Sequence, residues 1–581
     1  MESSQRVQST RQLGNPLQAS PTSPLWLRFS WSAAYIAAAT FAIAVVWIVG
    51  HRGIYLYDES TVFDGGWRIL QGQVMYRDFF APYGPVVFWL QSQFFRLMGV
   101  TFSSMVMAGG VVNAIAVACV IWILRRLAPA PEHRLTALAG GFLTALWFGA
   151  PSGILWFEQT AFCFNLIASA LVLETEFRGE RAAPYLRIAA GCSLALSVLS
   201  KQSAGVVLAP VPLAIVLLTA APDWRRMLVR LSQVLAGILV VFMVFTAWLL
   251  LASSFKGFWQ SVIVMSRSLG TQRLGLIHST GDLLLLRKTW PFIRVAVATL
   301  ALCAIAPRHL LRRHNAVILS LLIGYVILQN VFAELTLNDV ENSVAYVGLL
   351  NASAFILLTR IFWTSTQYPV VKWIKRAVPI LAALVLFGRS SMNAWRVDMN
   401  RTVQQFDGNT TFAEPLHVKG ASRVLWGAPT FLNDTSRVTR QDFDDLNAWL
   451  AKSEGNFFVF SSSTLLYGLQ QRISPQPWVL LTPDHSFLSA DFARVSAVIV
   501  NSLKKNHVTA VVLEGPLFEN DPILLNMSSL HDWIQQDFRM EQQFGGYQVW
   551  TLTTSAVRTP GTTSKLLSEI RNNSGPSEKR P

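Results

Sequence analysis

The sequence predicts a polytopic α-helical membrane protein that ends in an extracytoplasmic α/β domain. Of its 581 residues, 52% are hydrophobic and only 14% are charged, which is too few charges to cover soluble domains of that size. Apolar runs of about 17–25 residues, long enough to cross the hydrocarbon core, recur from residue 32 to residue 390. After residue 390 the composition turns polar, and strand and helix patterns alternate.

The N-terminal part of the chain is predicted to be a tail followed by a retained span. Residues 1–30 are polar and rich in Ser and Pro, which predicts a disordered cytoplasmic tail. The first apolar run starts too far into the chain, and is too long, for a cleaved signal peptide. A membrane domain over residues 31–390 then contains about eleven predicted spans. They are placed near 32–50, 104–124, 135–150, 155–173, 186–200, 203–220, 229–252, 290–306, 316–332, 344–362 and 374–390.

Basic residues set the predicted orientation. Every alternate loop carries three of them: Arg125/Arg126/Arg134, Arg178/Arg181/Arg187, Arg225/Arg226/Arg230, Arg308/Arg312/Arg313 and Lys372/Lys375/Arg376. The positive-inside rule therefore places these loops and the N-terminus in the cytoplasm. The first loop (51–103), two later loops and everything after residue 390 are then outside. The net charge of +15 is explained by topology and lipid headgroups rather than by nucleic acid.

The first loop is longer and richer in polar residues than a simple connection. Residues 55–85 open with Asp58 and Glu59 and show no clear helical or strand period. The apolar segment 83–99 contains Gln91, Gln93 and Arg96, and counting it as a span would put Arg125 and Arg126 outside. We therefore expect it to lie along the membrane interface.

Residues 391–555 are predicted to form a compact extracytoplasmic α/β domain. Short buried strands are expected at 456–461, 508–515 and 547–553, with amphipathic helices at 441–453, 490–506 and 529–538. The domain lacks a glycine-rich loop between a strand and a helix, so nucleotide binding is not predicted. Residues 556–581 are rich in Ser, Thr, Pro and Gly, which predicts a disordered tail.

Two acidic positions are candidate catalytic groups. Asp58 and Glu59 form either a solvated turn or the first turn of a helix, or they include a general base that accepts a proton from an acceptor hydroxyl. Glu158 either stabilises a helix start or is a second carboxylate facing the same outer cavity. Neither these acids nor the four singly placed cysteines define a metal site, although a divalent cation near Asp58, Glu59 and Glu158 is left open.

Lys201 is the basic residue that the predicted orientation does not explain. It lies at an outer turn between two apolar runs, next to Gln202. Its ammonium either snorkels to the interface or binds a lipid-linked phosphate, with Gln202 adding an amide donor. The basic loop 253–289, including Arg267 and Arg273, favours an anionic ligand, but outer-leaflet headgroups would explain it equally well. Three acids in the loop at 333–343 are expected to be solvated: Glu334, Asp339 and Glu341.

These residues occur in an order that resembles the GT-C glycosyltransferases. "YDE" follows the first span, then come "GQVMYRDFFAPYGP" and, later in the chain, "LSKQSAG". Over about residues 30–390 the chain resembles the dolichyl-phosphate-mannose protein mannosyltransferases and the bacterial lipid A aminoarabinose transferases. The protein mannosyltransferases carry His-Pro-Pro after the acidic pair, where this chain has "APYGP", so the resemblance does not identify protein as the acceptor.

The resemblance implies roles for individual residues. Asp58 matches the family's catalytic base, with Glu59 beside it. Lys201 and Gln202 match a short outer loop that faces the donor phosphate, where Arg267 and Arg273 would add positive charge. The family's juxtamembrane helices shape the cavity, and four residues of the motif are assigned to that part of the loop: Tyr76, Arg77, Asp78 and Tyr83.

The expected activity is inverting transfer of a sugar from a polyprenyl-phosphate donor to a lipid, glycan or protein of the cell envelope. It would take place at the outer face of a bacterial inner membrane and would require no cofactor. A transporter or flippase for lipid-linked sugars is the first alternative, but it predicts midplane charges and often an internal repeat, which is not seen. The second alternative is a non-catalytic assembly component. The sequence identifies neither the sugar nor the acceptor.

Overall fold

The structure is a computed structural model that describes most of the chain. The described residues are 30–178, 182–264, 295–301, 318–324, 326, 344–362, 377–401, 412–427, 438–460, 463–479, 481, 492–514 and 522–553. Several predictions lie outside them: both tails, most of the predicted spans 290–306 and 316–332, and the acids of the loop at 333–343.

The described residues of the N-terminal two thirds of the chain are mostly helical. Its helices are α1 (Trp31–Gly50), α2 (Leu56–Leu70), α3 (Val86–Met98), α4 (Phe102–Leu127), α5 (Arg134–Trp147), α6 (Phe157–Glu174), α7 (Ala183–Ser200), α8 (Gln202–Leu208), α9 (Pro210–Ala220), α10 (Trp224–Leu251), α11 (Phe255–Phe258), α12 (Val347–Phe362) and α13 (Ser390–Asn400). Within the described residues, six helices are long and apolar enough to cross a membrane. The protein is therefore a multi-pass helical membrane protein.

The membrane helices begin where short polar side chains cap them. The Ser30 hydroxyl accepts a hydrogen bond from the Ala33 amide at the start of α1, and Thr101 does the same for α4. Asp223 accepts from two amides at the start of α10. Each cap satisfies a backbone donor that the first turn leaves free. Helices cover most of each predicted span outside 290–332, including Ala377–Asn400, which continues into α13. α5, with 14 residues, is about 21 Å long and shorter than the hydrocarbon core.

The first loop contains two helices and is not an irregular connection. The stretch that shows no clear period in the sequence is helical from Leu56, so Asp58 and Glu59 lie in the first turn of α2. α3 covers the segment predicted to be interfacial, and its 13 residues span about 20 Å, which is too short to cross a membrane. The helix α2 is hard to recognise because Gly65 and Gly66 interrupt it with two poor helix formers.

The C-terminal α/β region (412–553) is built on a four-stranded sheet. The strands are β1 (Asn456–Phe460), β2 (Val508–Glu514), β3 (Phe538–Phe544) and β4 (Tyr547–Leu552), in the order β1-β2-β4-β3. β1 and β2 are parallel, whereas β4 is antiparallel to both of its neighbours. The helices are α14 (Arg440–Lys452), α15 (Leu465–Leu469), α16 (Phe492–Lys505), α17 (Pro522–Asn526) and α18 (Ser528–Asp537). A small C-terminal α/β region is therefore confirmed.

The sequence analysis missed one strand of this sheet. The three predicted strands and three predicted helices are confirmed to within two residues at each end. β3 is absent from the prediction because its five central residues are exposed, which leaves no apolar alternation to detect. The Gly545-Gly546 pair between two aromatic-containing segments was the available signal, since such a pair is typical of a tight hairpin.

The first loop and the C-terminal region share one hydrophobic core. A single cluster of buried side chains includes Val62 and Phe88 from the first loop and Leu446, Tyr467 and Val512 from the C-terminal region. The two parts therefore exclude water together, and α2 lies between the membrane helices and the sheet region.

Candidate active site

Asp58 is the accessible carboxylate of a buried helix. Among the described side chains of α2, only Asp58 near the start and Ile69 and Leu70 at the end are partly exposed, and the others are buried. Asp58 also lies in the first helical turn, where the helix dipole stabilises negative charge. The structure thus presents one half-buried acid at this end of the first loop, which is the environment in which a carboxylate can exchange a proton with a bound molecule.

The adjacent Glu59 lies in a different environment. Its Oε1 accepts from Arg401 Nη2 at 2.6 Å and its Oε2 accepts from the Tyr55 amide at 2.7 Å. Both side chains of the Glu59–Arg401 pair have 0% exposure. Burial raises the pKa of Glu59, and the Arg401 guanidinium offsets part of that rise. With both oxygens engaged, Glu59 fixes the start of α2 relative to the end of α13.

Glu158 and Lys201 meet in one ion pair. Lys201 Nζ lies 3.0 Å from Glu158 Oε1, and the two side chains are 18% and 4% exposed. Lys201 has extended backbone angles between α7 and α8, which turns its side chain out of the helical path. Glu158 lies in the first turn of α6. Its second oxygen, Oε2, is buried and has no hydrogen-bond partner among the described residues.

The "APYGP" turn of the first loop completes the surroundings of Lys201. The Lys201 ammonium lies 4.3 Å from the centre of the Tyr83 ring, a favourable cation–π distance. Gln202 Nε2 donates to the Pro82 carbonyl at 3.1 Å. At Gly84 a Cβ would overlap the Leu199 carbonyl oxygen, so the backbones of this turn and α7 can approach only at glycine. Lys201 and Gln202 therefore contact the first loop directly.

Tyr76, Arg77 and Asp78 shape the turn that leads to Tyr83. Tyr76 is buried at a positive φ of 67°, and its hydroxyl donates to the Tyr83 carbonyl at 2.5 Å. Burial also raises the pKa of Tyr76 well above its ordinary range. Arg77 and Asp78 pair with each other at 2.8 Å on a more exposed surface, and Asp78 accepts from the Val74 amide. The structure thus places Tyr76 beneath the turn and the Arg77–Asp78 pair outside it.

Aromatic packing connects these groups. Phe157 directly precedes Glu158 in the chain. The Tyr83 ring stacks on the Phe157 ring with 4.2 Å between ring centres, and the Phe88 ring of α3 packs edge-on against Phe157 with 5.3 Å between ring centres. The predicted site residues Glu158, Lys201, Gln202 and Tyr83 are therefore brought together. Arg267 and Arg273 lie outside the described residues. In the part of the chain that the structure describes, no group of three His, Cys, Asp or Glu residues could hold a metal ion.

Sequence reasoning missed the partners that hold α2 in place. Arg401 forms the ion pair with Glu59, and Asp64 pairs with Arg68 inside α2 at 2.8 Å. An acid and a base four residues apart in an otherwise apolar stretch was a detectable signal for the second pair. The first pair joins residues far apart in the chain, and the sequence shows no sign of it.

Comparison with known proteins gives a family segment and a fold. Residues 82–250 match the family profile of the dolichyl-phosphate-mannose-protein mannosyltransferases. The structure of ArnT from Cupriavidus metallidurans in the apo state is similar, with 13% identity, a TM-score of 0.51 and coverage of 90% of this chain and 99% of that chain. The same protein bound to undecaprenyl phosphate gives 14% identity, a TM-score of 0.50 and coverage of 90% and 98%. No curated relative matches the sequence.

The predicted resemblance is confirmed as a matching family segment and as a similarity of fold. The family segment begins at Pro82 in the first loop and includes Tyr83, Glu158, Lys201 and Gln202. The similarity of the solved structures extends over nine tenths of the chain, and so includes both the helical part and the C-terminal region. The family segment covers less than a third of the chain, and the solved structures show similarity of fold.

Proposed function

We propose that this protein transfers a sugar from a polyprenyl-phosphate-linked donor to an acceptor of the cell envelope, with Asp58 as general base. The observation that carries the proposal is the contrast within the first turn of α2. Asp58 is partly exposed, whereas the neighbouring Glu59 is buried in an ion pair with Arg401. The match of residues 82–250 to a mannosyltransferase family supports the reaction class.

Lys201 is the proposed ligand of the donor phosphate. An ammonium group has three donors, of which Glu158 takes one, and Lys201 retains some exposure. Nearby Gln202 and Tyr83 fix the lysine against the first loop rather than leaving it in the lipid interface. The structural similarity to a protein solved with bound undecaprenyl phosphate supports this donor class.

In the proposed reaction, Asp58 accepts the proton of the acceptor hydroxyl or amine as that atom attacks the anomeric carbon. The bond between the anomeric carbon and the phosphate oxygen breaks, the lipid phosphate leaves, and the configuration inverts. A phosphate leaving group needs positive charge nearby more than it needs a proton, and Lys201 supplies that charge. Glu59 acts by holding α2, because both of its oxygens are already engaged.

The proposed location follows from the distribution of basic residues. The N-terminus is cytoplasmic, and the first loop and C-terminal region face outwards from a bacterial inner membrane. Donor and acceptor would then meet at the outer face, with a lipid, a glycan or a protein as acceptor. The reaction as proposed consumes no cofactor.

The test is Asp58→Asn in proteoliposomes supplied with undecaprenyl-phosphate sugars extracted with the native membrane lipids. We expect the variant to lose at least about 100-fold in release of undecaprenyl phosphate, because removal of a general base costs about 10²–10⁴ in rate. Binding of undecaprenyl phosphate should be unchanged. Glu454→Gln, an exposed carboxylate of the C-terminal region, is the matched control.

Near-normal turnover of Asp58→Asn would refute Asp58 as the base. If the wild-type protein moved the lipid-linked sugar across the bilayer without breaking its bond to phosphate, the transporter alternative would replace the enzyme. Mass spectrometry of the lipid and of the sugar acceptor separates these outcomes.

A further inference from the structure

A buried polar cluster joins α2 to the C-terminal region. This docking cluster consists of Asp64, Arg68, Ser474 and Gln476. Asp64 Oδ2 pairs with Arg68 Nε at 2.8 Å, and its Oδ1 accepts from the Ser474 hydroxyl at 2.5 Å. Arg68 Nη1 donates to the Gln476 carbonyl at 2.6 Å. All four residues are buried, so α2 and the C-terminal region exchange hydrogen bonds away from water, although Arg68 Nη2 has no partner among the described residues.

Further contacts extend this junction along α2. Trp67 Nε1 donates to the Arg472 carbonyl at 2.8 Å. α15 approaches α2 so closely at Gly468 that a Cβ there would lie 2.6 Å from the Phe63 ring. Past the end of α2, the Phe80 amide donates to the Pro477 carbonyl at 2.7 Å. Residues 465–479 therefore lie along the first loop over more than a helical turn.

The docking cluster and Asp58 are connected by the same helix, α2. Six residues of α-helix separate Asp58 from Asp64, about 9 Å along the axis. Glu59 and Arg401 hold the first turn from the other side. α2 is thus fixed at its start by α13 and in its second half by the C-terminal region. A buried charge that loses its partner is costly, so weakening the docking cluster should displace or loosen the helix.

We propose that the C-terminal region is a positioning element for catalysis, in which Ser474 and the docking cluster hold α2 so that Asp58 faces the reacting atoms. The inference rests on the proposed function of Asp58. It assigns a role to the C-terminal region that does not require this region to touch the donor or the acceptor. Ser474 is a positioning residue, because it acts through Asp64 and α2.

A role in stability alone predicts a different result. In that case, loss of the Ser474 hydroxyl would lower the amount of folded protein, but each folded molecule would work at the normal rate. Positioning requires a lower kcat in the folded protein, faster local exchange in α2, and recovery of both when the hydroxyl is restored.

The experiment compares Ser474→Ala with Ser474→Thr in the full-length protein reconstituted in nanodiscs. Amide hydrogen exchange is measured for peptides within residues 56–70 and, as an internal reference, within α1. With Ser474→Ala we expect exchange in α2 to rise at least about fivefold while α1 is unchanged, since losing a buried hydrogen bond frees a local unit first. Ser474→Thr keeps a hydroxyl donor and should restore wild-type exchange. Ser453→Ala, which removes a hydroxyl that bonds within its own helix end, is the matched control.

Turnover of undecaprenyl-phosphate sugars from native lipid extracts is measured on the same samples. We expect Ser474→Ala to lower kcat by about tenfold, which is the size of effect that the loss of one buried hydrogen bond can cause. The KM for the donor should stay within about twofold of the wild-type value. Unchanged exchange in α2, equal loosening of α1 and α2, or a normal kcat despite faster exchange would each overturn the inference. Failure of the proposed function would differ, because Asp58→Asn would then retain turnover while the exchange result still reported the docking.

Discussion

The two ion pairs of α2, Glu59–Arg401 and Asp64–Arg68, differ from the Glu158–Lys201 pair, which joins α6 to the corner between α7 and α8. In Glu59–Arg401 and Asp64–Arg68, every carboxylate oxygen has a partner, and the side chains are at most 1% exposed. In Glu158–Lys201, one carboxylate oxygen has no partner among the described residues, and the lysine keeps 18% exposure. The first two pairs are closed off from water, whereas the third has a buried carboxylate oxygen without a partner among the described residues and a lysine that remains partly exposed.

The difference indicates where a ligand can enter. A ligand that bound Glu59 or Asp64 would first have to displace a buried partner from a carboxylate oxygen, which is costly. Within the described residues Lys201 pairs with one carboxylate, so its ammonium can add a phosphate oxygen without giving up Glu158. The same comparison separates Asp58 from Glu59, which are adjacent in sequence but not equivalent in their surroundings.

The largest effect is expected from breaking the buried Glu59–Arg401 pair. Arg401→Met leaves Glu59 buried without its counter-ion, which costs about 3–5 kcal/mol. Thermal unfolding in nanodiscs should show a strong drop in Tm or loss of folded protein. Glu414→Gln is the control, because it removes the exposed partner of Arg440, and surface pairs contribute about 0–1 kcal/mol. Equal stability of the two variants would contradict the structural role of the buried pair.

An intermediate effect is expected at Lys201. Lys201→Met should raise the donor KM, or weaken binding of undecaprenyl phosphate, by about tenfold or more, since a charge-assisted hydrogen bond contributes about 1.5–3 kcal/mol. Lys201→Arg keeps the charge and should recover most of the affinity. Lys452→Met, which removes an exposed lysine from α14, is the control. If Lys201→Met changed only the folded yield, the pair with Glu158 would be structural like the pairs on α2.

The smallest effect concerns pH and the Asp64–Arg68 pair. Burial raises the pKa of Asp64 above its ordinary 3.8, although Arg68 and Ser474 offset part of the rise. The native state then binds this proton more tightly than the unfolded state does. This contribution to the free energy of unfolding is fully present below the ordinary pKa and is lost as pH rises through the raised native value.

Asp64→Asn removes that contribution. Between about pH 4 and pH 7, the difference in Tm between the wild type and the variant should therefore change with pH, with the wild type losing stability more steeply as pH rises. Groups common to both proteins cancel in this difference. A wild type that gained stability more steeply than the variant as pH rose would show that the pKa of Asp64 is lowered instead.

The sequence predicted the fold where one physical signal dominated. Spans such as α1 and α10 are continuous apolar segments with a polar cap, and β1 and β2 are short apolar runs between turn residues. The helix α2 was considered only as a possible first turn at Asp58 and Glu59, because Gly65 and Gly66 in its middle are poor helix formers. β3 shows the opposite limit, since it is an exposed strand whose side chains carry no apolar period.

Site residues could be predicted when the signal lay in their own stretch of sequence, but not when it lay in a partner far away in the chain. Lys201 and Glu158 could be selected because each is an ionisable residue beside apolar spans, where charge needs a reason. The role of Arg401 could not be inferred, since its partner Glu59 is 342 positions away and neither residue indicates the other. Ser474 was likewise not identified, because a serine has no distinctive pattern until the structure places it against Asp64.

The glycine at position 84 limits how this scaffold can be recombined. Its backbone rests against the Leu199 carbonyl, so the first loop and the α7–α8 corner are shaped to each other with no side chain between them. The same loop is fastened to residues 465–479. A chimera intended to change the acceptor should therefore exchange residues 51–103, the corner around Lys201 and the 465–479 segment as one unit. Grafting the C-terminal region alone would leave a non-native contact between residues 465–479 and the helix that carries Asp58.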